Sequence, residues 1–267
     1  MNISNFSDIS KNYIKTSLVQ KAAGETLLDL LQIKDFEDVL DLGCGPGHLT
    51  FKIAKLTKGK VVGIDPSSGM IQKANEDYQR QNILFKIGSA ENLHYESEFD
   101  AIFCNSAFQW FQDPERALRN CFVSLKKNGR IGIQAPGGKI YSPNFQEAIH
   151  KVKNYPDTAN MFSYFRPPWV FLENADEYST LFKNAGFDVV FSKIKRIETQ
   201  YSPAEVFKIF KSGASAGYLN QDYYSIPINP EYQKKFLEIV EKSFIEQSEN
   251  NIVNLIFNRI FLLAGKY

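Results

Sequence analysis

Seven residues, Asp41-Leu42-Gly43-Cys44-Gly45-Pro46-Gly47, set three alternating glycines between a short apolar run and a stretch of helical periodicity. Glycines there let the backbone turn tightly and let a ligand come close, while the free amides opening the following helix favour negative groups. Asp65 stands 18 positions after Gly47, at the end of the next apolar run, Val61-Val62-Gly63-Ile64. An acid in that place accepts hydrogen bonds from both hydroxyls of a ribose. Together the two features specify a cofactor that carries adenosine. Dinucleotide folds space their glycines Gly-x-Gly-x-x-Gly, but here the spacing is Gly-x-Gly-x-Gly with His48 next, so no glycine stands where a pyrophosphate needs it.

The elements that must position these residues follow from periodicity. Apolar residues at three-to-four spacing predict a helix within 12–33, and strands are expected at Val39-Leu40-Asp41-Leu42, 61–65, 83–87, 100–104 and 130–134. Helices are expected between them at 48–58, 69–79 and 114–125. Strands alternating with helices mean a parallel sheet covered on both faces. After Gln134 the pattern loosens through Ala135-Pro136-Gly137-Gly138 into an aromatic stretch containing Tyr155, Phe162, Tyr164, Phe165 and Trp169, which reads as an insertion. A helix at 175–184, a strand at 187–197, a helical region from Pro203 and a final strand at 258–264 complete the chain.

Composition narrows the partners. The 267 residues suffice for one large α/β domain. Lysine and arginine number 31 against 30 acidic residues, with no long basic run, so nucleic acid is not an expected partner. The apolar stretch 252–264 is interrupted by Asn254, Asn258 and Arg259 and is too short to span a bilayer, so no membrane association is expected. The first residues lack an export signal, and the three cysteines, Cys44, Cys104 and Cys121, match no zinc spacing. A cytoplasmic protein with free thiols and no metal is the expectation.

Asp41 to Gly47, together with Gly63-Ile64-Asp65-Pro66-Ser67 and Gly88-Ser89-Ala90-Glu91-Asn92-Leu93, resembles the class I S-adenosylmethionine-dependent methyltransferases over roughly residues 36 to 135. The resemblance implies a Rossmann-like, doubly wound sheet of seven strands, mostly parallel with one antiparallel. It implies one domain over 1–267, with a cofactor-binding core at about 34–135 and a mainly helical cap from 1–30, 136–174 and 202–250. It also implies that Gly43 and Gly45 lie against the methionine part of S-adenosylmethionine, that Asp65 holds the ribose, and that Ser89, Ala90 and Glu91 flank the adenine. Asn105 would close the side of the fourth strand, and Asp41, Pro66 and Met70 complete the set.

A narrower similarity lies in Asn105-Ser106-Ala107-Phe108-Gln109-Trp110-Phe111, which is similar to the carboxyl methyltransferases of trans-aconitate and of malonyl carrier protein. The segment 5–20 is similar to the amino-terminal helix of that group, with Tyr13 and Gln20 expected to close over the cofactor. Gln109 and Trp110 become candidates for positioning an acceptor.

Methyl transfer from a sulfonium is an in-line displacement whose leaving group needs no proton, so positioning supplies most of the catalysis. A carboxylate acceptor is already ionised at neutral pH and requires no base. For an amine, phenol or carbon acceptor, His48, His94 and His150 are the candidate bases. An acidic or carrier-bound small molecule wants a cation in the cap, and Arg166 is the first choice, before Lys139 and Lys211. Tyr164, Trp169, Tyr201 and Tyr218 are candidates to line the cap against the cationic sulfonium. The alternatives are a methyltransferase of nitrogen, carbon or phenol oxygen, a catalytically silent cofactor-binding homologue, and a nucleotide-dependent oxidoreductase, which the glycine spacing disfavours. A nucleic-acid methyltransferase is disfavoured because Asn105-Ser106-Ala107-Phe108 lacks the two prolines of the Asn-Pro-Pro-Tyr motif.

Overall fold

In the computed structural model of the chain, residues 18–267 are described, with side chains from residue 23 onward. Val39–Leu42 forms β1, all four residues buried. Side chains alternate across a strand. Val39 therefore joins Leu27, Leu31 and Ile53 on one face, while Leu40 and Leu42 join Ile102, Leu118 and Phe182 on the other. The strands β2 (Val61–Asp65), β3 (Ile83–Ile87), β4 (Phe99–Asn105) and β5 (Leu125–Pro136) pair in parallel around it. The last two strands, β6 (Asp188–Tyr201) and β7 (Val253–Gly265), complete a seven-stranded sheet in the order β3-β2-β1-β4-β5-β7-β6. Among the described residues only β7 runs antiparallel to its neighbours, as expected.

Helices cover both faces. The helices α1 (Leu18–Leu31) and α2 (His48–Leu56) lie on one, and α4 (Pro114–Ser124) and α7 (Ala175–Asn184) on the other, with α3 (Ser68–Asp77) against β2 and β3. Strand order reverses at β1, whose neighbours are β2 and β4, so the loops leaving β1 and β4 diverge and open a crevice at the carboxyl edge of the sheet.

One expectation is corrected here. The described part of the amino-terminal helix is a sheet-covering element rather than part of a cap. Leu27 and Leu31 of α1 sit so close to Gly132 that a Cβ there would lie 3.1 and 3.0 Å from their methyls. The region after Gln134, expected to belong to a mainly helical cap, forms α5 (Pro143–Asn154) and α6 (Pro156–Phe162). Its driving pattern is Phe145, Ala148, Ile149 and Val152, a buried stripe at three-to-four spacing.

These helices pack with α8 (Pro203–Ser212), α9 (Ser215–Tyr218) and α10 (Pro230–Glu246) into a second core, rich in aromatic rings. The start of α8 is fixed by a capping box in which Ser202 and Glu205 satisfy each other's backbone amides. Strand β7 carries this core. It pairs with β6 from Val253 onward but with β5 only from Arg259. Its overhanging half buries Val253, Leu255 and Phe257 in the cap, which is why the final strand begins earlier than the expected 258.

Among the described residues no helix is long and apolar enough to cross a membrane, and Cys44, Cys104 and Cys121 are buried free thiols.

Candidate active site

The loop from β1 to α2 is built on left-handed glycines, with φ of 76° at Gly43, 53° at Gly45 and 85° at Gly47. The amides of Gly43 and Cys44 both donate to the Ile64 carbonyl, at 2.8 and 3.0 Å, pinning the loop to β2. A Cβ on Gly43 would lie 2.2 Å from Ala107 Cβ, so the β4 loop can approach only because no side chain is there. At Gly45 a Cβ would meet nothing within 4 Å, which leaves the backbone open to a ligand.

Asp65 closes the same loop. Its Oδ2 accepts from the Gly45 amide and its Oδ1 from the Ser67 amide, both at 2.9 Å. Burial nevertheless pushes its carboxyl up to about 6, against the two amides that favour the charged form. Asp41 lies beneath the loop, 2% exposed, accepting from Thr50 Oγ1 at 2.6 Å. Its burial, with the charge of Asp65 nearby, raises its carboxyl to about 7 in spite of that bond.

One cavity of about 750 Å³ runs from this loop to the aromatic core. Gly43, Gly45, Asp65, Pro66, Met70, Ser89, Ala90, Glu91, Asn105, Gln109 and Trp110 all line it. Asp41 does not; it supports the loop through Thr50. Tyr13 lies outside the described residues, and Gln20 falls in the first turn of α1, where side chains are not described. The loop after β4 is anchored by Gln109, whose Nε2 donates to the Ser106 carbonyl at 2.8 Å, and Trp110 meets Trp169 edge to face at 5.6 Å. The cap contributes Tyr141, Phe145, Trp169, Phe171 and Phe257 to the far wall.

The expected cation is elsewhere. Arg166 is exposed and outside the cavity lining, its Nη1 donating to the carbonyls of Ser163 and Phe165 at 3.0 Å each. Lys139 pairs with Glu173 at 2.7 Å, and Lys211 sits over the Phe207 ring. Among the described residues the lining contains none of His48, His94 and His150. Of the aromatic candidates, Trp169 lines the cavity and Tyr218 packs behind it at 4.8 Å, while Tyr164 faces solvent and Tyr201 packs against the cap core.

Sequence reasoning missed Arg259 as a site residue. It is 2% exposed, lines the cavity from β7, and donates from Nη1 to Ser106 Oγ at 3.4 Å, with its guanidinium carbon 5.0 Å from the centre of the Phe257 ring. Its one local signal is a lone arginine in the apolar run 252–264.

A family described as a methyltransferase domain matches residues 33–186. The chain is 26% identical over 272 aligned residues to a malonyl-[acyl-carrier protein] O-methyltransferase of Acetivibrio thermocellus, covering 98% of this chain and 92% of that one. A trans-aconitate 2-methyltransferase of Deinococcus radiodurans is 31% identical over 144 residues, 54% of this chain and 52% of its own. Among solved structures, the YcgJ protein of Bacillus subtilis shares the fold, with a TM-score of 0.63 at 15% identity, covering 92% of this chain and 98% of that one. With the match extending from the start of the sheet through α7, more than half of its length, the chain belongs to the methyltransferase domain family and is a methyltransferase.

Proposed function

We propose that the protein methylates a carboxylate oxygen of a small or carrier-linked acid, using S-adenosylmethionine. The observation that carries this reading is the continuity of the cavity, which joins the Gly45–Asp65 loop to a chamber walled by cap aromatics. The residues fit the cofactor. Gly45 leaves space where a side chain would stand, and Asp65 reaches the cavity with two anchored oxygens that retain lone pairs for ribose hydroxyls. Ser89, Ala90 and Glu91 then stand where the adenine would lie, with Pro66 and Met70 beside them. When bound, S-adenosylmethionine supplies an electrophilic methyl group and departs as a neutral thioether.

The chain's own contribution is placement and exclusion of water. Gln109 is held by Ser106 and Trp110 by Trp169, so both face the cavity from a fixed loop and orient the acceptor. The aromatic walls desolvate the reacting groups and present ring faces to a cationic sulfonium. Two relatives are named for acids, a malonyl group on an acyl-carrier protein and trans-aconitate, and a carboxylate needs no base in the cavity. The test is release of S-adenosylhomocysteine with di- and tricarboxylic acids and malonyl thioesters, each beside its amide. Turnover of an acid and not of its amide supports the reading. Turnover of only an amine, phenol or carbon acceptor replaces the acceptor class and leaves the cofactor.

A further inference from the structure

We infer that Arg259 is the specificity-determining residue of the acceptor chamber, binding a carboxylate of the acceptor from the β7 wall. The inference rests on the reading that the acceptor is an acid, and it assigns the recognition to one side chain.

Three observations carry it. The first is location. Arg259 is the first residue of β7 to pair with β5, opposite Pro136 at the carboxyl end of that strand, and it reaches Ser106 in the loop after β4. It therefore stands at the carboxyl edge of the sheet, on the same crevice as the glycine loop, where ligands bind in folds of this kind. The second is burial. A guanidinium cannot discard its charge, and Arg259 is 2% exposed among Tyr141, Phe145, Phe171 and Phe257, where little water screens it. An anion entering such a chamber meets a cation in a low dielectric, where the attraction far exceeds its value in water. The planar fork suits a carboxylate through paired donors.

The third is the support around it. Ser106 has φ of 56°, a left-handed backbone unusual for serine, and is held there by its amide donating to the Gln134 carbonyl at 2.6 Å and its hydroxyl donating to Gln134 Oε1 at 3.0 Å. That hydroxyl is the oxygen to which Arg259 donates, so a strained residue fixes one edge of the guanidinium. On the cap side Tyr141 lines the same cavity, and burial raises its phenol well above the ordinary value, so it stays uncharged. A neutral hydroxyl in a chamber that holds a buried cation does not repel an incoming anion.

The test is titration of protein loaded with S-adenosylhomocysteine, using malonate and trans-aconitate as probes and malonamide as the neutral counterpart, on the wild type, Arg259→Gln and Arg259→Lys. The expected result is that the wild type binds an acid and not the amide, and that Arg259→Gln weakens acid binding about 10- to 100-fold. Arg259→Lys keeps the charge without the fork and loses less. In all three the affinity for S-adenosylhomocysteine stays within about twofold, a readout that collapse of the chamber would not spare.

Acid affinity unchanged in Arg259→Gln overturns the inference, as does a wild type that takes up S-adenosylhomocysteine but neither acid. If Arg259→Gln fails to fold, Arg259→Lys decides: weaker acid binding with intact S-adenosylhomocysteine affinity supports the inference, and parallel loss of both, or loss of neither, overturns it. The proposed reaction fails separately. An acid methylated by Arg259→Gln at the wild-type KM removes Arg259 and leaves carboxyl methylation standing, whereas Arg259-dependent acid binding without methyl transfer does the reverse.

Discussion

The Gly45 amide donates to Asp65 Oδ2 at 2.9 Å, so one carboxylate both fixes the glycine loop and faces the cavity. Asp65→Ala removes the proposed ribose acceptor and the tie to the loop together. Hydrogen bonds to a charged group contribute about 1.5–3 kcal/mol each. The Kd for S-adenosylmethionine should therefore rise at least about tenfold in calorimetry, and an unchanged Kd would remove Asp65 from the cofactor site.

The same burial makes binding and stability respond oppositely to pH. Both Asp65, at about 6, and Asp41, at about 7, are raised above the ordinary carboxylate value. A raised carboxyl favours the folded state while protonated, so the stabilisation is full below pH 4 and is lost as pH climbs through 6 and 7. With Asp65 in its proposed role at the ribose, cofactor affinity should instead fall as pH drops through about 6. Asp41→Asn keeps an acceptor for Thr50 and should flatten the decline in Tm of the unliganded protein between pH 5 and 8. Parallel Tm profiles for the variant and the wild type would contradict the assignment.

Two neighbouring glycines should separate folding from binding. Gly43→Ala pushes a methyl to 2.2 Å from Ala107 Cβ at φ 76° and should cost several kcal/mol, of order 3 or more, in denaturant unfolding. Gly45→Ala meets open space and carries only the left-handed backbone cost of about 1–2 kcal/mol, yet its methyl enters the cofactor path. It should unfold at a midpoint well above that of Gly43→Ala and bind S-adenosylmethionine at least about tenfold more weakly. The reverse ranking in either assay would refute this division.

The cap offers a test confined to the acceptor. A Cβ on Gly217 would lie 2.1 Å from the Trp169 ring, which lines the cavity and meets Trp110. Gly217→Ala should displace Trp169, raise the acceptor KM several-fold, roughly 3–10 times, and leave the cofactor Kd alone. A change in the cofactor Kd with no change in KM would show that Trp169 serves the other end of the cavity.

The sequence was most legible where the signal is local. The strands 39–42, 61–65 and 83–87 and the helix 175–184 fall where apolar runs and periodicity put them, and the glycine loop and Asp65 announce a cofactor through spacing alone. The acceptor chamber was not legible in the same way. Phe145, Ile149 and Val152 form a helical stripe, but the glycines and prolines before it and the aromatics after it suggest irregular chain. Arg166 stands in an aromatic segment and looks like a chamber cation, yet its guanidinium turns outward to two carbonyls. Arg259 meets Ser106 across 153 positions, and a contact of that range has no local signature beyond one charge in an apolar strand.

Strand β7 belongs to two cores at once, with Val253 to Phe257 in the cap and Ile260 to Ala264 in the sheet. The substrate chamber is therefore not an interchangeable cassette. Grafting the cap of a relative onto this catalytic base would require splicing inside a continuous hydrogen-bonded ladder, at Asn258 and Arg259, where a slip of one residue would send every following side chain to the opposite face. Recombination that respects the register of β7 preserves the catalytic half, and new acceptor specificity is more readily reached by substitutions on the chamber wall than by exchange of the whole cap.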